Sequence, residues 1–124
     1  MNLRIPIHLV VEDSLSASVS RRILDETGKG YQIVSVLGGC GCGYIDSRLR
    51  NFNDAAKGMP HIVFRDLDTH ECPPGLIAGL MSFHPHPNLI VRIVVREIEA
   101  WLLADRTGFS DYFRIPTSSI PYHV

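Results

Sequence analysis

Acidic residues stand in pairs at three places where an apolar run gives way to polar residues. Glu12 and Asp13 follow LRIPIHLVV, Asp66 and Asp68 close HIVFRDLD, and Glu97 and Glu99 follow LIVRIVV. Carboxylates gathered on one rim repel one another unless they share protons or hold a cation. The cation they suit best is hard: Mg²⁺ takes a couple of carboxylates and completes its shell with waters or phosphate oxygens. Two chemistries place acids at such positions, acceptance of a phosphoryl group by an aspartate and metal-assisted attack on a nucleic-acid phosphodiester. Taken singly, each acid also has a structural explanation, because Asp is a common turn and cap residue and acids in a first helical turn favour the helix dipole. That explanation suffices for Glu99. Glu12, Asp66 and Asp68 share no single capping explanation and form the candidate catalytic and metal-binding set, with Asp13 as an auxiliary acid.

Such a set needs elements that bring its members together, and the hydrophobic pattern supplies them. Residues 3–11 read as a strand with Pro6 near its start, where a missing ladder donor is tolerated. From Ser14 as N-cap, Leu15, Val19 and Ile23 recur at helical spacing until Gly28. The β-branched run 31–37 predicts a second strand, and GGCGCG at 38–43 a loop. Ile45, Leu49, Phe52 and Ala56 mark one face of a second helix ended by Gly58 and Pro60. A third strand covers 61–68, and Pro73 and Pro74 open a helix with Leu76, Ile77, Leu80 and Met81 as its buried stripe. A loop at 84–88, a strand at 89–95 and a helix at 96–105 complete the alternation; after the aromatic patch GFSDYF the tail reads as coil.

Strictly alternating strands and helices imply right-handed crossovers and a parallel sheet covered on both faces. The expected fold is therefore a three-layer, Rossmann-like α/β domain with a four-stranded parallel sheet. Ligands in such folds bind beyond the carboxyl ends of the strands, where strand order reverses. Order 2-1-3-4 would bring all three acidic pairs to one rim.

Composition narrows the class. The chain of 124 residues, 45% hydrophobic and 20% charged, has the size and balance of a single globular domain, 1–124. No apolar run is long enough to span a bilayer, the N-terminus lacks the marks of a signal peptide, and three cysteines form no disulfide framework. A cytoplasmic location without membrane attachment is expected. A net charge of −1 argues against a broad basic footprint but not against a local nucleic-acid site. Of the twelve basic residues only Lys29 and Lys57 are lysines, and arginine forks suit phosphate. Arg65 and Arg96, beside the acids, are the candidate phosphate-binding residues, with a salt-bridged scaffold role as the alternative.

LVVEDS followed by a helix and GYQIV resembles a response-regulator receiver domain, but a receiver also carries a lysine after its last strand, and both lysines here come too early. Glu12 after the first strand with Asp66-Leu67-Asp68 after the third resembles the TOPRIM domain, the Mg²⁺-binding unit of topoisomerases, primases and OLD-type nucleases. VEDSLS, FNDAAKGMP, RDLDTHECPP, HPNLIVR and VREIEAWLLAD resemble more closely an uncharacterised bacterial family of small TOPRIM-like proteins, over nearly the whole chain. That resemblance implies Mg²⁺ or Mn²⁺ as cofactor and nucleic acid as partner, adds Glu97 to the metal ligands and Glu99 to the auxiliary acids, and places Arg96 beside them. Proteins of that kind usually continue further, so substrate contacts are also expected in a C-terminal extension. The implied function is a metal-dependent nuclease or phosphotransfer enzyme serving phage defence. The alternatives are a non-catalytic module whose acidic rim holds a structural ion or meets a protein partner or a second copy of the chain, and a degenerate receiver.

Other signals are weaker. Cys40, Cys42, His70, Cys72, His84 and His86 are zinc-type ligands, but Cys-x-Cys is not the usual knuckle spacing. GGCGCG lacks the Lys-Ser/Thr ending of a phosphate loop. Trp101, with Ile98 and Leu102, reads as core rather than as a base-stacking platform.

Overall fold

A computed structural model describes residues 3–70 and 72–120. Its elements are β1 (Ile5–Val11), α1 (Ser14–Glu26), β2 (Tyr31–Gly38), α2 (Cys42–Ala55), β3 (His61–Asp66), α3 (Pro73–Leu80), β4 (Leu89–Val94), α4 (Ile98–Ala104) and α5 (Arg106–Phe113), with a short 3₁₀ turn at Thr117–Ser119. The four strands form one parallel sheet in the order β2-β1-β3-β4. Helices cover both faces, giving the expected three-layer, Rossmann-like arrangement. All carboxyl ends therefore open onto the same edge.

The core lies in two layers because the central strands are apolar on both faces. Ile7, Leu9, Val11, Ile62, Phe64 and Val94 pack with Leu24 of α1 and Ile98 of α4. Val10, Val63, Leu89 and Val91 pack on the opposite face against Ile45, Leu49, Phe52 and Ala56, the apolar face of the second helix anticipated from sequence. In the third helix only Leu76 is fully buried, while Leu80 and Met81 pack half-buried against the second cluster. Between β1 and β2 the register shifts by one after Ile7, leaving Val34 as the extra residue, half-exposed on the edge strand.

Several expectations need correction. The buried side of α1 is not Leu15, Val19 and Ile23. Ser16, Ser20 and Leu24 are buried, Val19 is partly so, and Leu15 and Ile23 remain more than a third exposed. Small serines let the helix approach its neighbours closely, and apolar periodicity alone does not register that advantage. The last predicted helix begins at Ile98, not Arg96, with Glu97 as its N-cap. The aromatic patch, given no element from sequence, lies in α5, which Asp105 caps through the Gly108 amide at 3.1 Å. Part of the tail read as coil is a 3₁₀ turn: Arg106 donates to the Thr117 and Ile120 carbonyls, and Ile120 is buried. Residues 121–124 of that tail lie outside the described residues.

Candidate metal centre

Strand order reverses between β1 and β3: the chain leaves β1 toward β2 on one side and returns to β3 on the other. Glu12 is the first residue past β1, and Asp66 is the last of β3. Both are more than nine-tenths buried. The Asp66 amide donates to Glu12 Oε2 at 3.2 Å, and the two carboxyls are hydrogen-bonded to each other. Burial is the largest cause pushing the Glu12 carboxyl up to about 8; the Asp66 carboxyl beside it adds to the effect. Asp66 is raised too, first by burial and then by Asp68, Glu99 and Asp13, although its hydrogen bond with Glu12 works the other way. Burial and mutual repulsion push both carboxyls upward, so the two titrate as a pair and favour a shared proton. Among the described residues neither carboxyl has a cationic side chain within ion-pair distance.

Asp68 sits two residues beyond β3 in the left-handed region, φ 52°, which aspartate tolerates better than most side chains. Arg96 fixes it there. The Asp68 amide donates to the Arg96 carbonyl at 2.9 Å, while Arg96 Nη1 donates to the carbonyls of Asp68 and His70 at 3.1 and 3.2 Å. The guanidinium thus clamps the loop that carries the third acid.

The β2–α2 loop closes the site from the other side. Gly38 has φ 109°, and a Cβ there would collide with the Val11 carbonyl, so only glycine lets the loop fold so tightly onto the end of β1. Gly39 and Gly41 then donate to the carbonyls of Val11 and Glu12 at 3.2 and 3.0 Å. This delivers Cys42, the first residue of α2, to the rim. Donor atoms of Glu12, Cys42 and Asp68 lie within 4.8 Å of one another. Cys42, discounted as a zinc ligand from spacing, is the residue that sequence reasoning missed. Its signal was positional rather than a motif, since it begins the helix after β2 at the same edge of the sheet.

One helical turn on, Asp46 grips Arg65 with Nε–Oδ1 at 3.1 Å and Nη2–Oδ2 at 2.8 Å. Arg65 is buried, its Nη1 donates to the Asp66 carbonyl, and the same atom reaches only 3.9 Å from Asp68. Two of its three nitrogens are therefore committed to Asp46, and its scaffold role is the one with visible partners. Glu97 is exposed at the N-cap of α4, whereas Glu99 and Asp13 are the acids that act on Asp66. The Asp13 side chain also caps α1 through the Ser16 amide at 2.8 Å. Lys29 and Lys57 lie between α1 and β2 and between α2 and β3, in turns at the opposite edge of the sheet.

The donors that come together are two carboxylates and a thiol, those of Glu12, Asp68 and Cys42, and Asp66 meets this group through Glu12. Glu12 reaches both Asp66 and Asp68, and oxygen donors on a half-open rim leave room for waters and phosphate oxygens. Among the described residues no helix is long and apolar enough to cross a membrane. Comparison of the chain with family models, with curated proteins and with solved structures finds no match in any of the three.

Proposed function

We propose that the chain is a Mg²⁺-dependent, TOPRIM-like nuclease or phosphotransfer enzyme acting on nucleic-acid phosphodiesters, with phage defence as its setting. The observation that carries this reading is the meeting of the buried Glu12 and Asp66 carboxyls at the reversal of strand order, with Asp68 beside them. Burying two carboxyls against each other is costly even when they share a proton. In this reading Glu12, Asp66 and Asp68 hold the cation, Mg²⁺ or Mn²⁺, and Glu97 joins them by the sequence resemblance. When bound, the ion neutralises charge on the scissile phosphate and lowers the pKa of an attacking water. The Glu12 carboxyl, raised by burial while no ion is bound, serves as a ligand or, in place of that role, as the general acid or base that exchanges a proton with the reacting oxygen. Arg96 positions Asp68, and Arg65 holds α2 and β3 together beneath the site. With no lysine at this edge, the receiver reading lacks its phosphoryl contact.

Nicking of supercoiled plasmid in Mg²⁺ or Mn²⁺ tests the proposal. The wild type should cut, and Glu12→Gln and Asp66→Asn should each lose about 100-fold or more in rate, the scale of removing a preorganised charge-stabilising group. Cutting that survives both substitutions refutes the site. An uncut plasmid with intact wild type leaves the non-catalytic module as the better reading.

A further inference from the structure

We propose that the Cys42 thiolate completes, with Glu12 and Asp68, a three-donor site for a thiophilic dication of the zinc class, so that this rim takes Zn²⁺, Co²⁺ or Cd²⁺ more tightly than Mg²⁺. The proposal rests on reading the rim as a metal centre but not on the reaction assigned to it. Three elements supply the donors: Glu12 from the end of β1, Cys42 from the start of α2, and Asp68 from the loop after β3, with all three atoms inside 4.8 Å. That spread is the span of ligands around one small ion, whose metal–sulfur and metal–oxygen distances run about 2.0–2.3 Å.

The second observation is the charge at the centre of the cluster. Glu12 is nine-tenths buried against another buried carboxyl, and no cationic side chain pairs with either among the described residues. Arg65, the nearest buried cation, is taken by Asp46. A dication between Glu12 and Asp68 supplies the missing positive charge. Sulfur then decides which dication. Mg²⁺ has little use for a thiolate, whereas zinc-class ions prefer one to carboxylate or water. Cys42 is half-buried and Asp68 exposed, so the site is sheltered on the Glu12 side and open to an entering ion and to a fourth ligand. On binding, the Cys42 S–H proton and the proton shared by Glu12 and Asp66 pass to solvent, one sulfur–metal and two oxygen–metal bonds form, and three aqua ligands of the free ion leave.

Co²⁺ titration of the whole chain reads the sulfur directly, through the thiolate-to-metal charge-transfer band. Wild type, Cys40→Ser and Cys72→Ser should show the band saturating at one equivalent, and Cys42→Ser should lose it. Cys42→Ser should also weaken Zn²⁺ binding by more than about tenfold, as expected when the softest ligand is removed. A band that is absent from wild type, or that survives in Cys42→Ser, overturns the proposal. Alkylation followed by mass spectrometry gives an independent reading on unmutated protein. Zn²⁺ should shield Cys42 but not Cys40 or Cys72, and equal labelling of Cys42 with and without Zn²⁺ overturns the proposal as well. If the band appears as expected but plasmid is never cut, the metal site stands and the nuclease reading fails. If plasmid is cut but the band is absent, the reverse holds.

Discussion

Glu12 and Asp66 are the residues whose placement folding explains least. Two carboxyls at 7% and 8% exposure, in contact and, among the described residues, without a cationic partner within ion-pair distance, oppose the packing around them. Residues kept for function at the expense of stability behave in a recognisable way when neutralised. Glu12→Gln keeps the shape and the hydrogen bonds but cannot ionise. With chelator present at pH 8, its melting temperature should therefore lie about 2–5 °C above wild type, the shift expected from roughly 1 kcal/mol in a domain of this size. Differential scanning calorimetry measures it, and an equal or lower melting temperature would mean that the carboxyl stabilises the fold. His61 gives a separate residue-scale test. Burial is the main cause lowering its pKa below 6.5, with the neighbouring His8 acting in the same direction, and its Nδ1 is satisfied by the Met59 carbonyl at 2.8 Å. The folded value lies below the unfolded one, so the unfolded chain takes up a proton that the folded chain refuses. The stability due to neutral His61 is intact above about pH 6.5 and falls as pH drops below it, by up to about 1.4 kcal/mol per pH unit. Urea unfolding of wild type and His61→Gln, compared at pH 7.5 and 5.5, cancels the contribution of the acids common to both. The wild-type advantage should shrink at the lower pH, and a constant difference contradicts a buried neutral imidazole.

At the scale of elements, the site depends on two loops held against strand ends. The β2–α2 loop is fixed by the conformation of Gly38 and by amides donated to Val11 and Glu12. The β3–α3 loop is fixed by Arg96, whose guanidinium spans two carbonyls while remaining exposed. Arg96→Ala should therefore leave global stability nearly unchanged but weaken Mn²⁺ affinity by about 10–100-fold, as loss of an outer partner of a metal ligand does. Calorimetric titration checks this, and unaltered affinity would show that Asp68 needs no clamp or does not bind. The elements themselves were mostly legible in sequence. β1 to β4 announce themselves through β-branched runs, and α2 through Ile45, Leu49, Phe52 and Ala56 at helical spacing. The buried side of α1 was not legible, because its most deeply buried positions are Ser16 and Ser20, which carry no apolar signal. Nor was α5, whose polar start and clustered aromatics leave Tyr112 and Phe113 exposed instead of forming a buried stripe. The pairing of Arg65 with Asp46, nineteen residues apart, joins two elements and has no local signature.

Across the whole molecule, the parallel sheet turns separate acidic pairs into one rim. Every strand ends at the same edge, and the order β2-β1-β3-β4 sets the β1 and β3 ends side by side at the reversal. That architecture follows from alternating strands and helices, so the placing of residues 12 and 66 at adjacent strand ends was legible in the sequence. The arrival of Cys42 was not, since it depends on how tightly the GGCGCG loop folds back. The central claim is that carboxylates at 12, 66 and 68 share one dication, and crystals soaked in Mn²⁺ test it most directly through the anomalous signal of the metal. The account predicts a peak at about 2.0–2.2 Å from oxygens of Glu12, Asp66 and Asp68, the range of hard-dication coordination. Millimolar Mn²⁺ that leaves no peak there, or a peak bound elsewhere while these carboxyls keep their mutual hydrogen bond, would contradict it.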